Sequence, residues 1–416
     1  MVTIIKGNII SAFKFGELSI FPNSYLVSKD GIIEGIYENL PEKYINEKID
    51  DYKDCLIFEA FSDMHLHAPQ FPMLGMGMDL QLIDWLNTYT FPVESHFNDV
   101  ELARKVYSKL ATQLIENGTT RVAMFSSLHI PATLILMEEL EKAGISGYVG
   151  KVNMDRNGSA TLQETTEDSI KDTLYWIKNS NFKNVKPIIT PRFTPSCTNE
   201  LMKELGTIAK EYNLPIQSHL SENKGEISWV ASLHPDCKEY WETYDKYGLW
   251  NNKTLMAHCV HSSDRELDAI RKAGVYIVHC ASSNENLLSG YCPVRKIVNK
   301  GIKVVLGSDI AGGDHISMFD NIAATIRASK ARQIIDGPST PFLTVSEAYY
   351  LATSATNEFF NELPGLAKGN KLNIIVLDDS ELTTVKPLSI KERFERCIYN
   401  RQNNPIKAVY NQKKIF

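Results

Sequence analysis

Leu56-Ile57-Phe58-Glu59-Ala60-Phe61-Ser62-Asp63-Met64-His65-Leu66-His67 is an apolar run that ends on two histidines set two positions apart. On an extended strand, residues i and i+2 project from the same face, so both imidazoles can reach one metal ion. The pair alone decides little, because a chain of 416 residues with 10 histidines will sometimes carry such a spacing. The rest of the chain gives it meaning.

From Leu56 the rhythm is short apolar strand, turn, amphipathic helix. Candidate strands cover 56–62, 119–125, 146–153, 185–190, 215–220, 253–258, 275–279 and 302–308. Between the first two, Leu102, Val106, Leu110 and Leu114 recur at helical spacing from about Asp99 to Asn117. Asn98 is placed to cap that helix, with Glu101 three residues on and Gly118 to close it. Eight such units in about 250 residues predict an α/β fold, a (β/α)8 TIM-type barrel. The competing doubly wound sheet lacks its Gly-rich phosphate loop after the first strand. The leading residues read as short strands, with Tyr25–Ser28 and Ile32–Tyr37 flanking a Lys29-Asp30-Gly31 turn. Strand patterns return at Leu372–Leu377, Cys397–Asn400 and Ala408–Asn411. The expected organisation is a small β-sandwich domain from both termini, 1–57 plus 366–416, around a barrel at 58–365.

Composition narrows the class. With 43% hydrophobic and 23% charged residues the chain reads as a globular protein. A formal charge of -6 and no Lys/Arg cluster argue against nucleic acid or an anionic membrane as partner. Seven scattered cysteines without a Cys-x-x-Cys pair suit reduced thiols and exclude a cysteine zinc site of the cytidine-deaminase type. No signal-peptide core and no run of about 18 apolar residues is found, so a cytoplasmic location is expected.

In a barrel, chemistry gathers where the strands end. Those positions hold His65, His67, Arg192, His219, Glu222, His258 and Asp309. Each has an ordinary alternative, such as a buried structural histidine or a helix-capping aspartate; their coincidence at successive strand ends does not. Three neutral imidazoles and one carboxylate suit zinc, with ferrous iron as the alternative. Such a cation lowers the pKa of water from ~15.7 toward roughly 7. His96, His129, His234, His261, His279 and His315 are read as structural or surface residues.

The set resembles the amidohydrolase superfamily, and within it the guanine deaminase family. Asp63-Met64-His65-Leu66-His67-Ala68-Pro69-Gln70 is similar to that family's metal motif, and Asp84 to Glu94 to its distinctive helix and turn. Lys186 to Phe193, Gln217 to Asn223, Met256-Ala257-His258 and Gly307 to Gly313 match as well, over essentially the whole barrel. The sequence departs at Glu59-Ala60-Phe61-Ser62, at Ala281-Ser282-Ser283-Asn284 and at Asn373.

The resemblance implies hydrolysis of guanine to xanthine and ammonia in purine catabolism or salvage, by a cytoplasmic homodimer with one zinc per chain. It assigns His65, His67, His219 and Asp309 to the metal, and Asp309 also to accepting a proton from water. Glu222 would protonate a ring nitrogen, a task that favours a carboxyl with a raised pKa. His258 would hydrogen-bond the attacking water. Gln70, Arg192 and Phe193, with His219 and Glu222, would contact the purine. The alternatives are a related enzyme acting on another purine, a pterin, cytosine or a triazine, and a binding protein that has lost its metal.

Overall fold

β-Branched and aromatic residues crowd both ends of the chain and pair there as one large sheet. The computed structural model describes residues 1–159, 161–400 and 405–416. The strands begin with β1 (Val2–Lys14), β2 (Glu17–Lys29), β3 (Ile32–Tyr37), β4 (Ile49–Glu59) and β5 (Phe61–His67). Next come β6 (Thr119–Phe125), β7 (Ser146–Gly150), β8 (Val152–Asn153), β9 (Val185–Pro187) and β10 (Thr190–Pro191). Then follow β11 (Ile216–Leu220), β12 (Thr254–His258), β13 (Tyr276–His279) and β14 (Lys303–Leu306). The chain ends with β15 (Asn373–Leu377), β16 (Ile406–Asn411) and β17 (Lys413–Lys414).

The terminal strands form a seven-stranded sheet in the order β17-β16-β15-β4-β1-β2-β3. The first two strands are not short: each has 13 residues, because their pairing runs on through a register shift near Gly7. Asp30 and Gly31, at φ 52 and 79, make the expected tight turn between β2 and β3. Cys397–Asn400, expected as a strand, instead ends a helix, Ile390–Tyr399. Ser389 and Glu392 form its capping box, and Phe394, Cys397 and Ile398 are its buried face.

The middle of the chain alternates strands with helices, the mixed α/β architecture expected. Two four-stranded sheets, β5-β6-β7-β9 and β11-β12-β13-β14, pair in parallel throughout. β5 and β6 are buried at every position, as strands covered on both faces should be. At one seam Ile189 bridges to Ile216. At the other, the N–H of Asp309 donates to the carbonyl of His65 at 2.8 Å, and that of His67 to Ile310 at 3.0 Å. Gly307 allows this approach, since a Cβ there would lie 2.7 Å from the His65 Cβ.

The helix Val100–Glu116 sits where its periodicity predicts, with one correction. Asp99 is the cap, not Asn98: its carboxylate accepts from the N–H groups of Glu101 and Leu102. Asn98 closes the preceding 3₁₀ turn and is one residue too early.

Candidate active site

Parallel strands deliver side chains to one rim of the molecule. His65 and His67 share a face of β5, Arg192 follows β10, His219 lies on β11, His258 ends β12, and Asp309 follows β14. Backbone geometry helps aim them. Ser221, His258 and Asp309 have φ of 48, 75 and 51, a left-handed conformation uncommon for such residues and typical of functional turns.

The imidazoles and the carboxylate converge. The Nε2 atoms of His65 and His67 lie 3.2 and 3.3 Å from Asp309 Oδ1. His219 Nε2 is 3.3 Å from His67 Nε2. His219 donates through Nδ1 to the Arg192 carbonyl at 2.5 Å, which turns Nε2 inward. His65, His67 and Asp309 form one group whose ligand atoms lie within 4.8 Å of one another, and His65, His219 and His258 form another. His65 Nε2 is buried with no well-formed hydrogen bond, its nearest acceptor being the Asp309 oxygen it shares with His67. A buried nitrogen so placed among three more ligand atoms fits a metal ion, which would satisfy it.

Electrostatics agree with that fit. Burial pushes the His67 imidazole down to about 4, lowers His65, and holds His219 well below its ordinary value. Neutral imidazoles are what a metal requires. Burial alone would raise Asp309, but the neighbouring imidazoles, His65 foremost, hold it well below the usual carboxylate range.

Glu222 lies beside this group, between β11 and the helix Lys224–Leu233. Burial first, and then the charge of Asp309, push its carboxyl up to about 8. Its Oε1 accepts from Ser289 at 2.9 Å, and its Oε2 is 3.5 Å from His258 Nε2. Glu226 fixes the backbone here, accepting from the N–H groups of Glu222 and Asn223. His258 points its other nitrogen at Asn284 Oδ1, 2.9 Å away. The Ala281–Asn284 segment, where the sequence departs from the family it resembles, thus backs His258.

A cleft opens over these residues. His67, Gln70, Arg192, Phe193, His219, Glu222, His258 and Asp309 line it, and His65 lies against His219 beneath. All nine residues singled out from the sequence therefore come together. Other residues reach the cleft as well. Leu82, Trp85 and Leu86 form an apolar wall, and Leu287 and Glu226 also reach the cleft. An aromatic on a helix is more often core than pocket; Trp85 is both, buried and part of the cleft wall. Glu94, at the end of the Asp84 to Glu94 segment, pairs with Arg192 and Gln70.

A model of the amidohydrolase family matches residues 56–412. A guanine deaminase of Dictyostelium discoideum is 37% identical over 437 aligned positions, covering 99% of this chain and 97% of that protein. One from Escherichia coli is 34% identical, covering 83% of this chain and 77% of its own. A crystal structure of guanine deaminase from C. acetobutylicum, with guanine bound in its active site, superposes with a TM-score of 0.96. It is 45% identical, and all of both chains is covered.

Proposed function

Because the chain belongs to the amidohydrolase family and, within it, to the guanine deaminases, we propose that it hydrolyses guanine to xanthine and ammonia. One observation carries the reading: four metal-competent side chains converge beside the buried Glu222 carboxyl, in a cleft walled by apolar and hydrogen-bonding groups.

His65, His67, His219 and Asp309 would hold one ion, zinc by the chemistry of the donor set. When bound, the ion supplies Lewis acidity and lowers the pKa of water at the site. The chain's own groups do the rest. Glu222, neutral near pH 7, donates its proton to a ring nitrogen and makes C2 electrophilic. Asp309, ionised, accepts a proton from the attacking water. His258, held by Asn284, hydrogen-bonds the same water. Of the attacking water's two protons, one reaches the departing amine and the other restores Glu222, whose own proton stays on the ring nitrogen, so guanine plus water gives xanthine plus ammonia. Arg192 donates to the purine carbonyl, Gln70 reads a ring edge, and Phe193 packs the base.

The same reading extends to architecture. Bridges at both seams support a single closed (β/α)8 barrel over 58–365. The seven-stranded sheet and its own apolar cluster of Ile5, Ile9, Leu26, Ile57, Ile374 and Val376 support a composite β domain from both termini, 1–57 with 366–416, which we take to be a β-sandwich. Family membership supports a homodimer, and the scattered cysteines support a cytoplasmic setting. No helix among the described residues is long and apolar enough to cross a membrane.

A substrate screen tests the proposal. Purified protein given guanine, adenine or cytosine should convert guanine to xanthine by absorbance and leave the others unchanged. Conversion of adenine or cytosine in place of guanine would overturn it.

A further inference from the structure

Glu94 sits behind the two side chains assigned to the base, on the short helix Phe91–Ser95, and is only 1% exposed. Its Oε2 accepts from Arg192 Nη1 at 2.5 Å, and its Oε1 from Arg192 Nη2 at 3.0 Å. The same Oε1 accepts from Gln70 Nε2 at 2.8 Å. Gln70 Oε1 meanwhile accepts from the Ala311 N–H at 2.9 Å. The amide of Gln70 is therefore held in one orientation, and the guanidinium fork in one plane. The Phe91 ring, 5.1 Å from Arg192 Cζ, backs that plane.

A guanidinium carries five N–H donors, and Glu94 takes two of them. The remaining donors suit a carbonyl. The charge that would otherwise draw an anion is already matched by a buried carboxylate. Breaking such a pair leaves an uncompensated buried charge, which is costly unless something else neutralises it.

We propose that Glu94 is a specificity-determining positioning residue, which fixes the donors of Arg192 and Gln70 and cancels the guanidinium charge so that neutral oxo-purines are favoured over anionic ones. This rests on the assignment of Arg192 and Gln70 to the base.

The test compares the unmodified enzyme with E94Q and E94D, reading KM and kcat for guanine and inhibition by urate, a purine anion at neutral pH. Guanine turnover by the unmodified enzyme reports on the parent reading, whereas the urate-to-guanine affinity ratio across the variants reports on Glu94. E94Q is expected to raise the guanine KM by about tenfold or more, with a smaller change in kcat, and to bind urate more tightly. E94D keeps the charge on a shorter arm, so it is expected to raise the guanine KM severalfold while urate stays excluded. It serves alone if E94Q does not fold. An unchanged guanine KM in either soluble variant would overturn the proposal. So would urate and guanine weakening in parallel in E94Q, or E94D gaining urate.

Discussion

Glu222 and Arg192 carry the most pointed consequences at the scale of single residues. Glu222→Gln removes the proton but preserves shape, so the variant should keep fold and metal while losing nearly all turnover; near-normal kcat would remove its proton-transfer role. The pH dependence has a definite sign. A carboxyl raised to about 8 stays neutral at physiological pH, and activity that needs its proton should fall as pH rises through that value. A kcat/KM profile that kept climbing above it would contradict the assignment. Arg192→Ala should act mainly on KM for guanine, and unchanged kinetics would mean that the Pro191-Arg192-Phe193 segment does not read the base. The residues that converge were legible because strand-end chemistry has a short-range signature, such as His-x-His on a period-2 strand. Glu94 was not, because its meaning depends on a partner 98 positions away. A lone glutamate in a helix says nothing about which cation it faces.

The strands and helices of the central α/β region were legible in outline, and the errors elsewhere have physical causes. The helix Val100–Glu116 was located from Leu102, Val106, Leu110 and Leu114, yet its buried face includes Ala103 and Tyr107 in place of the first two. Small and aromatic residues shift the stripe by one position without disturbing its period. At its start, Asp99 holds two N–H groups that Asn98 cannot reach. Asp99→Ala should therefore cost about 1 kcal/mol in denaturant unfolding with catalysis unaffected, while Asn98→Ala should stay near neutral. Equal effects would mean the cap is wrongly placed. Cys397–Asn400 differs because a run as short as Cys397-Ile398-Tyr399 fits either period, and only the Ser389–Glu392 capping box upstream separates them.

At the scale of the whole molecule, alternation of strand and helix announced the α/β core, and strand patterns at both ends announced a sheet shared by the termini. Its junction was not readable. Glu59, in one of the segments that depart from the family's pattern, is buried and accepts from Ser11 and from the Ala12 N–H, while Tyr349 donates to it. It thereby ties the terminal sheet to the helix Val345–Ala352, a contact spanning 290 positions. The central claim is that His65, His67, His219 and Asp309, drawn from distant strands, hold a single catalytic ion. Titrating zinc back into chelator-treated protein while following guanine turnover tests it most directly. Activity should start near zero, rise linearly and level off at about one zinc per chain. Full turnover by metal-free protein, or a plateau only at two ions, would contradict the account.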